Sequence, residues 1–293
     1  MGKKITVTGA TGNIGSMVLP ALLAAGADVT ILSRDKSKVQ DLIDKGVNVV
    51  EGDFDNTEAI AKAFEGAESA LLIAPPNPDA AKQMSNLIQG IKAAGNNTHV
   101  VRISAIGAAH DAPTENGKLH AVSDDELVAT GLPYTILRPH FFMNNLFMSV
   151  GSIAEQGQMY WGMGDGQLGM VDVRDIVEPS VKILLEGGHE GKIYTPTGAT
   201  SINFTEAAKI ISEEIGKEVT YVPVTFEQVR EAILGFGWGE WGAQIMHDYS
   251  KAYSENWGNF VNDDVEAVTG KKSRDFRTFV KEVLAGALQP QAA

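Results

Sequence analysis

The chain contains no cysteine among its 293 residues. That absence excludes disulfides, thiolate catalysis and every cysteine-held metal site. It also fits a cytoplasmic location. No apolar stretch reaches the length of a bilayer span, so a membrane is not an expected partner. The N-terminus enters an apolar β-branched run at once, so no signal peptide is expected. The sequons Asn96-Asn97-Thr98 and Asn203-Phe204-Thr205 carry no meaning without secretion. Basic residues are outnumbered, with 24 Lys and Arg against 37 Asp and Glu, for a formal net charge of −13. A chain of that sign repels a phosphate backbone, so nucleic acid is not expected either. The six histidines are scattered, and none pairs with carboxylates at ligand spacing, so no metal is expected. Gly-x-Ser-x-Gly is missing, and with it the nucleophile elbow of a serine hydrolase.

What is present begins at Lys3. The run Lys3-Lys4-Ile5-Thr6-Val7-Thr8 reads as a strand and ends at Gly9, with further glycines at Gly12 and Gly15. An apolar segment from Ser16 to Ala25 comes next and stops at Gly26. Strand, tight glycine turn and helix, in that order, seat a dinucleotide pyrophosphate on a helix N-terminus. Gly9 turns the chain, Gly12 lets backbone N–H groups reach the phosphates, and Gly15 lets the helix approach the sheet. The cradle spans Gly9, Thr11, Gly12, Asn13, Ile14 and Gly15. Asp28–Arg34 then reads as a second strand, ending in Ser33-Arg34. A reader of a ribose 2′-hydroxyl needs an acid at that point, and a reader of a 2′-phosphate needs a cation. Arg34 therefore points to NADP(H), while Asp35 is placed to cap the next helix.

Strand and helix go on alternating. Strands are predicted at Val47–Glu51, Ser69–Ala74, His99–Ser104 and Tyr134–Arg138. Helices are predicted at 56–64, 80–94 and 115–130. This alternation predicts an α/β fold with a doubly wound parallel sheet. Past Pro139 the rhythm loosens. Met170–Val173 reads as a strand, Asp175–Glu186 as a helix, Lys192–Thr195 as a strand, Phe204–Glu214 as an amphipathic helix and Val219–Val222 as a strand. The rest reads as helical, with an aromatic loop at 235–241. The division expected is a cofactor domain at 1–157, with 170–196 returning to it. A smaller substrate lobe is expected at 197–293 together with 140–169.

With these residues in view, the chain resembles the NmrA-like atypical short-chain dehydrogenase/reductases, nearest the branch containing quinone oxidoreductase and triphenylmethane reductase. The marks are Thr8–Gly15, Ser33-Arg34, Gly52-Asp53-Phe54, Gly131–Pro139, Asp172-Val173-Arg174-Asp175 and Gly188–Lys192. The resemblance implies that Asp53 and Phe54 lie beside the adenine and that Ala74 and Pro75 run along the cofactor. It also implies a departure. Short-chain dehydrogenases use a Tyr and a Lys four residues apart, and those positions hold Asn116 and His120 here. The i, i+4 spacing still sets both on one helix face, but the phenolic acid is gone. The branch resembles this chain in carrying a histidine there.

Hydride transfer survives without that acid, because the cofactor supplies the reactive group and an electron-poor acceptor needs little proton help. His120 is expected either to bond the nicotinamide ribose or to carry a proton to the product; otherwise it is a packed helix histidine. Ser104, at the end of a strand, is read as a cofactor or substrate contact or as a turn cap. Lys118 reaches toward a phosphate or the ribose, or is solvated. His140, Phe141, Phe142 and Asn144 are expected to line the substrate space, with plain core as the alternative. Trp238 and Trp241 form an aromatic lid or pack against the lobe. The expected function is NADPH-dependent hydride transfer to a quinone or similar conjugated small molecule. The alternative is a non-catalytic NADP(H) sensor. A homodimer is left open.

Overall fold

The computed structural model describes residues 2–288. The outermost residues of the expected divisions, 1 and 289–293, lie outside the described residues. The chain separates into two units, one of residues 2–110, 116–138 and 176–194, the other of 111–115, 139–175 and 195 onward.

The first unit is built on the predicted alternation. In chain order it runs β1 (Lys4–Val7), α1 (Gly15–Ala24), β2 (Asp28–Ser33), α2 (Gln40–Asp44), β3 (Asn48–Glu51) and α3 (Thr57–Ala63). It continues with β4 (Ser69–Leu72), α4 (Ala80–Ala94), β5 (His99–Ile103), α5 (Glu115–Ala129) and β6 (Tyr134–Leu137). After α6 (Val150–Gln156) and β7 (Gln158–Trp161) of the second unit, α7 (Arg174–Glu186) and β8 (Lys192–Tyr194) return to it. Seven parallel strands pair in the order β3-β2-β1-β4-β5-β6-β8. The order reverses between β1 and β4, which is where such sheets bind ligands, outside the carboxyl ends of their strands. Strands β4 and β5 are buried at every residue, as a sheet covered on both faces requires. Leu32, Ile60, Phe64, Leu72, Leu87, Ile88 and Ile136 form one continuous cluster there.

Local chemistry sets the boundaries. Asp35 Oδ1 accepts from the Ser37 N–H at 2.9 Å and caps the short 3₁₀ turn Lys36–Val39. Gly95 closes α4 in the left-handed region, at φ 72°.

The second unit holds α8 (Phe204–Ile215), β9 (Thr220–Pro223), α9 (Phe226–Gly235), α10 (Gly239–Ser254) and α11 (Asp264–Thr269). Strands β7 and β9 form a separate parallel pair. Capping boxes start α8, through Asn203 and Glu206, and α9, through Thr225 and Gln228. Asn203, which opened a sequon, is thus a helix cap. The expected strand at Met170–Val173 is reduced to a single bridge, Phe142 to Val171. The expected aromatic loop shrinks to residues 236–238, because α9 and α10 take in its two ends. Phe141, Trp161, Phe204 and Tyr253 share one core, with ring centroids 5.4–6.3 Å apart in the pairs that touch. Around it, Arg174 pairs with Asp172 at 2.6 Å and with Glu282 at 2.5 Å, and Arg274 pairs with buried Asp175. The Asp172-Val173-Arg174-Asp175 motif therefore ties loops of this unit together.

Phe204 is fully buried and meets three aromatic rings. Phe204→Ala is expected to lower the unfolding free energy by about 3–5 kcal/mol, read as a reduced urea midpoint with an unchanged slope.

Candidate active site

At the carboxyl end of β1 the chain turns so tightly that two glycines are obligatory. Gly9 sits at φ +64°, and a Cβ on it would lie 2.9 Å from the Ile73 Cβ. A Cβ on Gly15 would fall 2.3 Å from the Gly9 carbonyl oxygen and 2.8 Å from the Ala10 Cα. Gly12 donates to the Gly9 carbonyl at 3.1 Å and so closes the turn. The amides of Thr11, Asn13 and Ile14 donate to no backbone carbonyl among the described residues. Helix α1 starts with no side-chain cap and no acid in its first turn. Its positive end is therefore unclaimed by the protein, which is the arrangement an anionic ligand needs. Thr8 fixes the neighbouring strand end. Its Oγ1 accepts from the Ile73 N–H at 2.8 Å and donates to the Ile73 carbonyl at 3.0 Å.

The other cofactor candidates lie along the same edge of the first unit. Arg34 is exposed at the end of β2, and no carboxylate pairs with it among the described residues. The Ser33 hydroxyl donates to the Asp35 carbonyl at 3.0 Å. Asp53 comes after β3 and accepts from the Asp55 N–H at 3.0 Å. The Phe54 carbonyl is held by Asn86 at 2.7 Å, and its ring packs on the core. Ala74 and Pro75 come after β4, the first half-buried and the second exposed. Nothing in this edge conflicts with a dinucleotide. The glycine cradle, the free amides and the unpaired guanidinium are complementary to diphosphate and 2′-phosphate groups.

Beyond β5 lies a buried ionic cluster. Arg102, within β5, is 1% exposed, and Asp124, on α5, is equally buried. Arg102 Nε stands 2.8 Å from Asp124 Oδ1, an ion pair whose N–H is not aligned for a good hydrogen bond. Asp124 Oδ2 accepts from the Ser104 hydroxyl at 2.8 Å and from Arg138 Nε at 3.0 Å. The hydroxyl proton of Ser104 is thereby committed to a carboxylate, and its free valences are lone pairs. His120 lies one turn before Asp124, with Arg102 Nη2 3.3 Å from its Nδ1. Burial first, and then the charges of Arg102 and Arg138, push the His120 pKa down to about 3. Asn116 and Lys118 stand on the first turn of the same helix, both half-buried.

The remaining candidates belong to the second unit. His140, expected to line the substrate space or to be plain core, has both ring nitrogens bonded within the fold. It is 1% exposed, its Nε2 donates to the Gly258 carbonyl at 2.9 Å, and its Nδ1 accepts from the Phe141 N–H at 2.7 Å. Burial pushes its pKa down to about 4. Phe141 is core. The Phe142 backbone bridges Val171, and Asn144 accepts from the Val173 N–H at 3.4 Å. Trp238, at the start of α10, is 55% exposed, while Trp241 is half-buried. Arg102, Asp124 and Arg138 escaped the sequence reading as site residues. Their one signal was a charge inside an otherwise apolar strand, Val100-Val101-Arg102-Ile103.

The NmrA-like family model matches residues 1–281. An NAD(P)H azoreductase of Xenophilus azovorans is 33% identical over 277 residues, covering 94% of this chain and 96% of the relative. The NADPH complex of the Escherichia coli NADPH-dependent quinone oxidoreductase superposes with a TM-score of 0.86 at 26% identity, covering 96% of this chain and 99% of the other. The NADP(H) complex of the Citrobacter sp. triphenylmethane reductase gives 0.85 at 28% identity, covering 95% and 99%.

The depressed pKa of His140 bears on stability. Unfolding returns His140 to about 6.5 from about 4, so the unfolded chain binds the extra proton between those values. The stability from keeping His140 neutral is present above about pH 6.5 and is lost as pH falls toward 4. The loss is expected to be about 1.4 kcal/mol per pH unit for this one group. Urea melts across that range should show a flatter pH dependence in His140→Asn than in the wild type.

Proposed function

The chain belongs to the NmrA-like family, and on that premise we propose that it is an NADPH-dependent reductase of conjugated, electron-poor small molecules such as quinones and azo or triphenylmethane dyes. The observation that carries the reading is the carboxyl edge of the sheet. The obligatory glycines at 9 and 15, the uncapped start of α1 and the unpaired Arg34 converge there on the features of one phosphorylated dinucleotide. Relatives named for NAD(P)H-dependent azo reduction, for quinone reduction and for triphenylmethane reduction supply the acceptor class.

The amides of Thr11, Asn13 and Ile14 and the start of α1 hold the pyrophosphate, and Arg34 holds the 2′-phosphate. Asp53, Phe54, Ala74 and Pro75 flank the adenosine half. The bound cofactor supplies a hydride; the protein supplies position and electrostatics. Ser104, with its proton committed to Asp124, accepts hydrogen bonds and so suits the donor groups of the cofactor's nicotinamide end. His120 bonds the nicotinamide ribose from the adjoining helix. With a pKa near 3 it stays neutral at physiological pH and takes the place of the missing lysine as an uncharged contact. Its depressed pKa also argues against a shuttled proton, since the imidazolium is scarce above pH 5. The product's proton then comes from solvent, which an already activated acceptor tolerates.

The test is a panel of quinones, azo dyes and triphenylmethane dyes incubated with the protein and NADPH, monitored by loss of the reduced nicotinamide absorbance. Turnover on at least one class is expected. Tight NADPH binding with no turnover on any of them would overturn the enzyme reading in favour of a sensor. In the same assay Arg34→Ala should weaken NADPH about tenfold to a hundredfold and leave NADH almost unchanged, as loss of one charge-assisted phosphate contact predicts. An unaltered ratio of the two affinities would remove Arg34 from cofactor choice.

A further inference from the structure

Arg102 makes three contacts that a buried arginine placed only for packing has no need of. Its Nη2 lies 3.3 Å from the His120 Nδ1 and 3.2 Å from the His120 carbonyl oxygen. Its Nε lies 2.8 Å from Asp124. A guanidinium has donors and no acceptor, so the ring nitrogen facing it must present a lone pair. The proton of the neutral imidazole is then on the other nitrogen. The charges acting on the ring are Arg102 from β5 and Arg138 from the end of β6, both paired with Asp124 one turn along α5. Two guanidinium groups meet one carboxylate, so the set leaves a net positive charge that opposes a second proton on the ring. Asp124 anchors the set. Removing its charge would leave both arginines without their carboxylate and Arg102 held to the helix by His120 alone.

We propose that Arg102 is a positioning residue that locks His120 in a single neutral tautomer, with Nε2–H as its one hydrogen-bond donor. The inference rests on the reading of His120 as a contact of the nicotinamide ribose and deepens it. A lysine at that position would offer several donors and a charge. The locked histidine offers one donor in a fixed direction and no charge. It can therefore hold a hydroxyl oxygen without adding a further cation where the oxidised nicotinamide ring would be positive. Arg102 reaches the reaction only through His120.

The test reads the ring itself. In the ¹⁵N-histidine-labelled full-length protein, the His120 resonances are those lost in His120→Gln. The wild type is expected to show a bare Nδ1 and a protonated Nε2, with no titration from about pH 8 to 5, the range in which an ordinary histidine changes charge. Arg102→Met removes the donor. It should give mixed tautomers, a raised His120 pKa and an acid limb in kcat that the wild type lacks. Arg102→Gln returns an amide donor without the charge. It should recover the tautomer while leaving the pKa raised. A wild-type spectrum with Nδ1–H, or a wild-type His120 that titrates near 6.5, overturns the proposal. So does a folded Arg102→Met with an unchanged tautomer and pH profile. If Arg102→Met does not fold, the wild-type spectrum and Arg102→Gln decide. The spectra need neither cofactor nor acceptor, so a failed acceptor panel and a failed tautomer assignment are separate results.

Discussion

The carboxylate of Asp124 joins three elements of the first unit at one point. From α5 it meets Arg102 in β5, Ser104 just beyond β5 and Arg138 just beyond β6. Burying an ion is expensive, and burying two, with a third half-buried beside them, is tolerable only where each finds its partners. A cluster of this kind is weak grounds for stability. It is a strong constraint on geometry, because few arrangements satisfy two guanidinium groups and a hydroxyl on a single carboxylate. The cluster sets the orientation of α5 against β5 and β6. It also sets the hydrogen-bonding character of Ser104 and the charge state of His120, since both residues touch it directly.

The opposite side of the same sheet edge is governed by sterics. Between the Gly9 carbonyl and α1 there is no room for a Cβ at Gly15, and beside Ile73 there is none at Gly9. Thr8 stitches the ends of β1 and β4 together, so the crevice at the topological switch keeps its width. One edge thus has a rigid, uncharged cradle at β1 and a charged, desolvated cluster at β5. The first suits the diphosphate of a dinucleotide. The second lies on the far side of β4 from that cradle.

Much of this was legible in the sequence because the signals are local. Buried parallel strands are rich in β-branched apolar residues, so Ile5-Thr6-Val7 and His99–Ile103 announce themselves despite their polar members, and a glycine turn leading into a helix needs only adjacent residues. Asp35 caps the turn that comes after it, as expected, and Asn56, expected as the first residue of its helix, is that helix's cap. What failed to show depends on distant partners. Nothing near His140 reveals that the Gly258 carbonyl, 118 residues on, will take its proton. The expected strand at Met170–Val173 has the right composition and finds only one bridging partner, whereas β7, Gln158–Trp161, pairs with β9 across about sixty residues. Arg102 was visible as a charge in an apolar strand. Its meaning required Asp124 and Arg138, which neither periodicity nor spacing connects to it.

The loss of the tyrosine acid acquires a physical sense from the cluster. A Tyr and Lys pair works because the cation lowers the phenol's pKa and the phenol hands over a proton. Near His120 the surplus positive charge is already supplied by Arg102 and Arg138, and a lysine there would add a third cation to one carboxylate. A neutral imidazole avoids that repulsion while keeping a hydrogen-bond donor on the same helix face. With His120 at the nicotinamide ribose, as proposed, the consequence is chemical selectivity. With neither His120 nor Ser104 offering a readily ionised proton, a simple ketone, whose alkoxide must be protonated as it forms, gains little from this site. An acceptor that delocalises the incoming electron pair, as quinones and cationic or azo dyes do, needs no such help. On the proposed reading, the same buried carboxylate that joins α5 to β5 and β6 also narrows the range of molecules that can be reduced beside it.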